Sequence, residues 1–284
     1  MNKPVVSAHF QSRKPSAVRL AQMKYEERKV KPEAVINVGI GNVSLPTNPA
    51  MQKRMFELAS PESPFSKGVV RYSTTVGTEE CRNAFKNILS CEGFDTSKLF
   101  VQVTDGGSSG MELLLVGVCG PAGSGEKPLM MIDPAYTNYI SFGERIGRKT
   151  VSVTRQLGED GKFNLPTMEE IEEAIKKENP GALLVIPYDN PTGQFYTYDM
   201  LKDLATLCVK YNMWMISDEA YRELYYETDK PLVSVWGLSD ADVPGIEGRR
   251  ISIETASKVW NACGLRIGAV ITDNAEFHDR SVAE

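Results

Sequence analysis

The sequence predicts an α/β fold in which helices cover both faces of a mostly parallel β-sheet. Two observations predict this class: short β-rich apolar runs recur from about residue 95 onward, and helical patterns alternate with them. Because the runs are apolar on both faces, both faces of the sheet must be covered. The predicted strands are residues 98–105, 127–134, 149–154, 182–190, 213–219, 249–255 and 268–273.

Three of the intervening helices carry recognisable signals. MELLLVGV at 111–118 is too short to cross a membrane and predicts a core helix. The TMEE motif at 167–170 is a capping box, which opens a helix that stops at Pro180. Thr197 is the expected N-cap of the next helix, because the residues after it form one apolar stripe. That stripe comprises Leu201, Leu204, Leu207, Cys208 and Tyr211.

The remaining segments are assigned by composition. Residues 274–284 predict the first turns of a further helix, whereas residues 226–249 predict a long surface excursion. The first 31 residues carry eight Lys/Arg against two acids and lack the apolar stretch of a secretory signal. They predict an arm or a first helix, with an organelle transit peptide as the alternative.

Composition limits the function classes. With 284 residues, 42% of them hydrophobic and 24% charged, the chain is typical of a globular protein with a substantial core. The net charge of −5 argues against nucleic-acid binding, which needs a dense basic patch. No apolar run approaches the ~20 residues of a membrane helix, so no membrane association is expected.

Cysteine and histidine usage narrows the chemistry further. The five cysteines are scattered without a CxxC pair, which is typical of reduced thiols in the cytoplasm and not of disulfides or a zinc site. His9 and His278 are the two histidines, one near each end of the chain. A central catalytic histidine and a metal centre are therefore not expected.

In a sheet of this kind, ligands bind outside the carboxyl ends of the strands. The segment GGSSG at 106–110 follows the first strand and leads into the core helix. Backbone N–H groups and the positive end of the helix dipole favour an anion there. A plain glycine-rich turn with serine N-caps is the alternative interpretation.

Four more functional side chains follow other strands, namely Tyr136, Asn190, Asp218 and Lys258. A carboxylate such as Asp218 at the end of an apolar strand is costly unless a cation or a hydrogen-bond donor meets it. Lys258 alone would be interpreted as a surface lysine. Together, an anion site, an aromatic ring, an amide, a carboxylate and an amine suit a flat anionic cofactor that reacts with amines, such as pyridoxal phosphate.

The segments at these strand ends resemble those of a known family. The chain is similar to the class I/II pyridoxal-phosphate-dependent aminotransferases of fold type I, the aspartate aminotransferase-like group. The most specific match is serine–lysine followed eight residues later by arginine within GxRxG. The matching segments are GNVSLP (41–46), RYSTTVGTEECR (71–82), TDGGSSGMEL (104–113), DPAYTNY (133–139), NPTG (190–193), DEAY (218–221) and SKVWNACGLRIG (257–268).

The resemblance implies a role for each matching side chain. Lys258 would form a Schiff base with the cofactor and move the proton at the amino-acid α-carbon. Asp218 would pair with the pyridine nitrogen, and Tyr136 would stack on the ring. Asn190 and Tyr221 would hydrogen-bond the phenolic oxygen of the ring. The residues implied to hold the phosphate are Gly107, Ser108, Ser109, Thr255, Ser257 and Arg266.

The resemblance also implies how the site is completed. Tyr72 would reach the phosphate of a neighbouring subunit, which implies a homodimer with shared sites. Gly41 and Asn190 would contact the substrate carboxylate. Residues 1–65 would form an N-terminal arm and part of a small domain, and residues 66–284 a cofactor-binding large domain. Family members continue into a C-terminal small domain, which this chain is expected to lack.

The implied activity is transfer of an amino group between an L-amino acid and a 2-oxo acid. Two alternatives are compatible with the same residues. One is a pyridoxal-phosphate-dependent lyase, synthase or decarboxylase of the same fold, because the lysine motif does not select the reaction. The other is a non-catalytic cofactor-binding sensor or truncated isoform.

Overall fold

The computed structural model describes residues 4–30, 36, 38, 41, 43–120, 125, 127–224, 226 and 231–284. The chain divides into two compact units, residues 1–44 and residues 45–284. The first unit contains two short helices, α1 (Ala8–Ser12) and α2 (Ala17–Glu26). Serine hydroxyls accept hydrogen bonds from backbone N–H groups at the start of both helices, as N-caps.

Nine strands form in the described part of the second unit. They are β1 (Phe100–Asp105), β2 (Leu129–Asp133), β3 (Thr150–Thr154), β4 (Gln156–Leu157), β5 (Phe163–Asn164), β6 (Ala182–Val185), β7 (Trp214–Asp218), β8 (Arg250–Thr255) and β9 (Ile267–Thr272). Strands β4 and β5 form a small hairpin, and the other seven form one sheet in the order β1-β9-β8-β7-β6-β2-β3. Strands β8, β7, β6, β2 and β3 are parallel, whereas β9 runs antiparallel between β1 and β8. All seven predicted strands lie in this sheet, and the prediction of a mostly parallel sheet is confirmed.

Helices cover both faces of the sheet, as predicted. The covering helices are α4 (Glu79–Cys91), α5 (Gly106–Cys119), α6 (Asn138–Ile146), α7 (Met168–Glu178), α8 (Tyr198–Lys210) and α9 (Ala275–Ala283). A further helix, α3 (Pro49–Phe56), buries no residue. Helices α4, α7 and α8 bury side chains such as Leu89 and Leu204 in one core cluster. Helices α5, α6 and α9 bury Leu114 and Phe277 in a second cluster. No helix in the described part of the chain is long and apolar enough to cross a membrane.

The local helix signals are confirmed. Thr167 and Glu170 exchange the hydrogen bonds of a capping box at the start of α7, which ends shortly before Pro180. The Thr197 hydroxyl accepts a hydrogen bond from the Met200 backbone N–H at the start of α8. The predicted stripe on α8 faces the core, with Tyr211 half-buried and the other four residues buried.

The prediction of a surface excursion at 226–249 is wrong for residues 233–238, most of which are buried. Val235 and Trp236 form a short 3-10 helix and are buried together with Leu238 and Ile246. The Trp236 ring N–H donates to the Ser252 hydroxyl of β8 at 3.0 Å. The buried side chains of the segment therefore pack against one face of the sheet. The sequence suggested a loop because turn-forming residues lie between these apolar side chains.

Strand β6 ends at Val185, earlier than the predicted 182–190, although the chain remains buried as far as Asp189. Beyond the strand, Tyr188 pairs with Phe195 across an isolated antiparallel bridge. The chain between them turns back on itself, and the Asp189 backbone N–H donates to the Gln194 carbonyl at 2.8 Å. We call residues 187–196 the Asn190 loop.

Candidate active site

Strand direction brings the predicted side chains to one edge of the sheet. The parallel strands β2, β6, β7 and β8 end at this edge, and the antiparallel strand β9 begins there. The chain therefore carries Tyr136, Asn190, Asp218 and Lys258 past the same edge, and Arg266 immediately precedes β9.

Asp218 is the last residue of β7, and two donors hold its carboxylate. The Tyr139 hydroxyl donates to Oδ2. The Ala220 backbone N–H donates to Oδ1 at 3.1 Å. Burial raises the pKa of Asp218, and these two hydrogen bonds lower it. The carboxylate is thus fixed in orientation at the edge of the sheet, where a cationic ligand atom could pair with it.

Lys258 lies close to Tyr221, three residues beyond Asp218. The Lys258 Nζ atom is 5.9 Å from the centroid of the Tyr221 ring, which is within cation–π distance. Burial and the negative charge of Asp218 raise the pKa of Tyr221, and a hydrogen bond with the Asn190 side chain lowers it. These four predicted side chains therefore form one cluster.

Tyr136 extends the cluster toward the anion site. Its ring meets the ring of Tyr139 edge-on, with the centroids 5.8 Å apart. Burial and Asp218 raise the pKa of Tyr136, whereas the positive charge of Arg266 lowers it. Tyr136 therefore lies within electrostatic range of both the carboxylate and the guanidinium. Its side chain remains accessible to a ligand, with 37% of the residue exposed.

The anion site differs from its prediction in one respect. Helix α5 begins at Gly106, so the GGSSG segment is its first turn and not a loop in front of it. The N-cap residue, Asp105, makes no side-chain capping hydrogen bond. The backbone N–H groups of this first turn therefore donate no hydrogen bond to the N-cap side chain. An anion at this position could accept hydrogen bonds from them.

Arg266 places a cation over this first turn. A Cβ atom at Gly106 would lie 2.4 Å from Nη2 of Arg266, so a side chain at residue 106 would displace the guanidinium. The guanidinium also donates from Nη1 to the Cys263 carbonyl at 2.9 Å. Arg266 itself has a positive φ of 53°, in the left-handed region. The helix N-terminus and the cation are thus adjacent.

Two hydroxyl groups stand beside the same turn. Thr255 ends β8 and pairs in the ladder with Gly268 of β9. The Ser257 backbone N–H donates to Thr255 Oγ1 at 3.1 Å, and the two hydroxyl oxygens are 2.7 Å apart. A Cβ at Gly107 would lie 4.0 Å from the Cβ of Thr255. A Cβ at Gly268 would lie 2.6 Å from the carbonyl carbon of Gly106, so β9 and α5 can approach this closely only without a side chain there.

Two cavities flank the cluster. One, of ≈ 350 Å³, is lined by Asp133, Tyr136 and Thr154 among others. The second, of ≈ 460 Å³, is lined by Asn190, Tyr221 and neighbouring aromatic residues. Both volumes lie in the range of small-molecule sites, which is about 300–1,000 Å³.

A buried ionic cluster beneath the edge was not predicted from the sequence. Arg222 donates from Nη1 to Glu254 at 2.9 Å and to Glu219 at 3.3 Å, and from Nε to Glu92 at 2.7 Å. Glu219 directly follows Asp218, and Glu254 lies in β8 immediately before Thr255. The spacing of Glu219 and Arg222 is compatible with an ion pair, but no pattern links either to Glu92 or Glu254. The buried cation thus joins the ends of β7 and β8 beneath the site.

Tyr139 was likewise not predicted, although it lies in the matching segment DPAYTNY. Tyr72 is not brought into the cluster by any described contact. Tyr72 is fully exposed. Gly41 belongs to the first unit, and Asn42 of the GNVSLP segment lies outside the described residues. The proposed roles of Tyr72 and Gly41 remain predictions.

The fold and the edge of the sheet define an α/β protein with a candidate site, which consists of a helix N-terminus beside a guanidinium, a carboxylate and an amine. The chain belongs to the aminotransferase class I and II family, whose profile matches residues 33–282. It is 28% identical over 265 residues to a probable aspartate aminotransferase of Methanocaldococcus jannaschii, covering 93% of this chain and 62% of that protein. It is 31% identical over 184 residues to a probable kynurenine–oxoglutarate transaminase of Saccharomyces cerevisiae, covering 62% of this chain and 39% of that one. The chain thus spans less than two thirds of the length of these relatives.

Solved structures share the fold. An aspartate aminotransferase of Thermotoga maritima superposes with a TM-score of 0.78 at 24% identity, covering 98% of this chain and 68% of that structure. A double mutant of the aspartate aminotransferase of Thermus thermophilus superposes with a TM-score of 0.77 at 22% identity, covering 99% and 68%. The predicted aspartate aminotransferase-like fold is confirmed.

Members of this family depend on pyridoxal phosphate, and the edge of the sheet fits that group. Its phosphate matches the uncapped first turn of α5 with Arg266 beside it. The guanidinium and β9 approach this turn closely because residues 106 and 268 lack a Cβ, which would collide with the guanidinium and with the helix backbone respectively. Its basic ring nitrogen matches the Asp218 carboxylate, and its aldehyde matches the Lys258 amine.

Proposed function

We propose that this chain acts as a pyridoxal-phosphate-dependent aminotransferase, which moves an amino group between an L-amino acid and a 2-oxo acid. One observation carries the proposal. An amine, a carboxylate and a helix N-terminus with a guanidinium beside it all lie at a single edge of the sheet. The Lys258 Nζ is 5.9 Å from the centroid of the Tyr221 ring. Burial and the charge of Asp218 raise the pKa of Tyr221, and the charge of Arg266 lowers the pKa of Tyr136. Membership of the aminotransferase family supports the same activity.

The cofactor, when bound, supplies an electrophilic carbon and a ring that accepts the electron pair of a deprotonated α-carbon. Lys258 would hold the cofactor covalently through Nζ and carry the proton to and from the α-carbon of the substrate. Asp218 would pair with the ring nitrogen and keep a proton on it. The hydrogen bonds from Tyr139 and from the Ala220 N–H orient its carboxylate and oppose burial, which raises its pKa. Asn190 would orient the Tyr221 hydroxyl through their hydrogen bond.

The phosphate would bind to the backbone N–H groups and hydroxyls at the start of α5. Arg266 would pair with it, because a guanidinium forms charge-assisted hydrogen bonds with phosphate oxygens. Tyr136 would stack on the ring face. The residues proposed to donate to the phosphate are Gly107, Ser108, Ser109, Thr255 and Ser257.

The proposal extends to the rest of the protein. Gly41 and Asn190 would contact the substrate carboxylate, and Tyr72 would complete the site of a second copy in a homodimer. Residues 1–65 would form the arm and part of the small domain, and residues 66–284 the large domain. A cytoplasmic location is the setting favoured by five cysteines that are scattered along the sequence without a CxxC pair.

Spectroscopy of the full 284-residue chain tests the proposal. On titration with pyridoxal phosphate we expect a visible absorption band that becomes resistant to dialysis after borohydride reduction. Mass spectrometry should then locate one cofactor on Lys258. Lys258→Ala should abolish the reduced adduct, whereas Lys149→Ala, which removes an exposed lysine paired with Glu178, should retain it. A wild-type chain without the band, or with the adduct on another lysine, would contradict the proposal.

The reaction itself is tested by adding amino acids. An aminotransferase should convert a panel of L-amino acids to 2-oxo acids only when an acceptor 2-oxo acid is present, at a rate that Lys258→Ala eliminates. Release of ammonia, sulfide or carbon dioxide without an acceptor would identify a lyase or a decarboxylase instead. A band that no amino acid changes would identify a cofactor-binding sensor.

A further inference from the structure

Arg155 occupies an unusual place for an arginine. It directly follows β3, and its side chain is only 2% exposed. Its backbone N–H donates to the carbonyl of Asp133, the last residue of β2, at 2.7 Å. Pro134, Ala135 and Tyr136 follow Asp133, so Arg155 is anchored through its backbone to the start of the segment that carries Tyr136.

The side chain of Arg155 reaches the neighbouring Asn190 loop. Its Nη1 atom pairs with Asp189, whose side chain is 1% exposed, and donates to the Thr192 hydroxyl at 3.1 Å. Its Nη2 atom donates to the Tyr196 hydroxyl. Its Cζ atom lies 5.3 Å from the centroid of the Tyr196 ring. One guanidinium thus contacts three residues of the loop, and two of them flank Asn190 closely.

The loop also has internal hydrogen bonds that close it around Asn190. The Gly193 backbone N–H donates to the Asp189 carbonyl at 3.0 Å, and the Tyr196 N–H donates to the Pro187 carbonyl at 2.9 Å. The Thr192 hydroxyl donates to the same Asp189 carboxylate that Arg155 contacts. Within this closed loop, the Arg155 guanidinium contacts Asp189 and Thr192, which lie on either side of Asn190.

Stability alone does not account for this ion pair. Replacing a buried ion pair by apolar residues of similar volume is often neutral or stabilising. Here the Nε atom of Arg155 and the Oδ1 atom of Asp189 are buried without a hydrogen-bond partner in the protein, which is unfavourable. A geometric role is the better explanation, because the guanidinium makes directional contacts that an apolar side chain cannot replace.

We propose that Arg155 is a positioning residue that fixes the Asn190 loop against the ends of β2 and β3 and so sets the position of the Asn190 amide. The inference rests on the proposed function in one respect, namely that Asn190 and Tyr221 face the cofactor ring. Through its two anchors, Arg155 holds the segment of Tyr136 and the loop of Asn190 at a constant separation. That separation is the gap in which the ring would lie.

The test compares two double variants of the full chain. Arg155→Met with Asp189→Leu removes the pair without leaving a charge unpaired. The control variant, Arg250→Met with Asp273→Leu, removes a comparable buried ion pair at the opposite edge of the sheet. The side chains of Arg250 and Asp273 are 10% and 3% exposed, and their N···O distance is 2.7 Å. Arg155→Lys serves as the conservative variant, which keeps the charge without the planar fork of donors.

Hydrogen exchange without cofactor gives the first measurement. We expect the Gly193 and Tyr196 amides to exchange about tenfold faster or more in the Arg155→Met/Asp189→Leu variant, and at the wild-type rate in the Arg250→Met/Asp273→Leu variant. The second measurement is a titration with pyridoxal phosphate. We expect the Kd to rise about tenfold and the pH midpoint of the bound absorption band to shift in the first variant alone, with Arg155→Lys in between.

Unchanged exchange and an unchanged band in the Arg155→Met/Asp189→Leu variant would overturn the inference, and so would equal changes in both double variants. If the wild-type chain binds no pyridoxal phosphate, the proposed function fails. Hydrogen exchange then decides the inference by itself: faster exchange confined to the Asn190 loop supports it, and unaltered exchange overturns it.

Discussion

Tyr139 donates a hydrogen bond to Oδ2 of Asp218 and so joins α6 to the carboxyl end of β7. Burial raises the pKa of Tyr139 well above its usual range, and Asp218 raises it further, so the hydroxyl stays protonated and remains a donor. The same hydrogen bond opposes the burial that raises the pKa of Asp218. Tyr139 therefore stabilises the charged form of Asp218.

Tyr139→Phe should weaken the binding of pyridoxal phosphate by about tenfold, since hydrogen bonds to charged groups contribute roughly 1.5–3 kcal/mol. Without this donor the pKa of Asp218 rises further, so more of the carboxyl group is protonated at a given pH. The loss of affinity should accordingly grow as the pH falls. Spectral titration of both proteins at several pH values measures it.

Tyr211→Phe is the matched control, because Tyr211 donates to Glu172 on α7, between two helices remote from the edge. It should leave the affinity unchanged. Equal affinity of wild type and Tyr139→Phe across the pH range would refute this account of Asp218.

Gly268→Ala should reduce cofactor affinity at least tenfold, equivalent to about 1.4 kcal/mol, while the fold is retained. Its Cβ would lie 2.6 Å from the Gly106 carbonyl carbon and 2.8 Å from the Gly107 nitrogen. Both are backbone atoms, so the first turn of α5 must move away from β9, and the phosphate site changes shape. Equilibrium titration with pyridoxal phosphate, with thermal melting as a check on folding, measures the effect.

Gly264→Ala provides the control from the same segment, because nothing lies within 4 Å of a Cβ at Gly264. It should bind cofactor as the wild type does. If both alanine variants bind normally, the close approach of β9 and α5 is not needed for the phosphate site.

Arg222→Met should destabilise the second unit by about 3–5 kcal/mol, the usual cost of removing one partner of a buried ion pair. It would leave the carboxylates of Glu92, Glu219 and Glu254 without their shared cation. Their mutual repulsion is greatest when they are ionised, so the loss should increase with pH. Denaturant midpoints of both proteins measure it.

Lys149→Met removes an ion pair whose lysine side chain is 60% exposed, and exposed pairs contribute about 0–1 kcal/mol. Its midpoint should stay close to that of the wild type. A loss in Arg222→Met no larger than in Lys149→Met would show that the buried cluster is dispensable for stability.

Glu92→Gln should become more stable relative to the wild type as the pH rises from about 5 to 8. Burial, followed by a hydrogen bond with Glu223, raises the pKa of Glu92 to about 8. In this window the unfolded wild-type chain releases the proton while the folded chain keeps it, so wild-type stability falls with rising pH. Because glutamine does not titrate, the stability of Glu92→Gln lacks this contribution to the fall with rising pH. Melting temperatures of both proteins across the window measure the difference.

Glu178→Gln is the control of opposite sign. Hydrogen bonding to Lys149 lowers the pKa of Glu178, so its contribution is lost only as the pH falls below the usual glutamate range. The difference between Glu178→Gln and the wild type should stay constant from pH 5 to 8, whereas that of Glu92→Gln should change. Parallel pH profiles for the two variants would contradict the raised pKa of Glu92.

The strands and the gathering of side chains at their ends could be predicted from the sequence, because buried parallel strands are continuous apolar runs that end abruptly at polar residues. Asp218 directly follows such a run, and Lys258 lies three residues beyond the end of another. The antiparallel direction of β9 could not be predicted from the run at 268–273, because apolar patterning carries no information about strand direction. The start of α5 at Gly106 was also missed, since glycines favour turns when taken alone.

The supporting side chains could not be predicted for a different reason. Arg155, Arg222 and Tyr139 contact partners far away in sequence, and those contacts depend on the register between strands. The pairing of Asp218 with Ile253 in β7 and β8, for example, is what brings Glu219 and Glu254 to the same arginine. A single arginine after a strand is by default a surface residue, and the sequence contains no pattern that distinguishes Arg155 from that default.

The connection between β8 and β9 is closed at its base by ladder pairing of Thr255 with Gly268 and by the hydrogen bond from the Ala256 N–H to the Ile267 carbonyl. Insertions or deletions between Lys258 and Arg266 would therefore leave the strand register intact, at a closure cost that rises only slowly with length. A change in the length of this connection would therefore alter the distance between the Lys258 amine and the Arg266 guanidinium without shifting the pairing of β8 with β9.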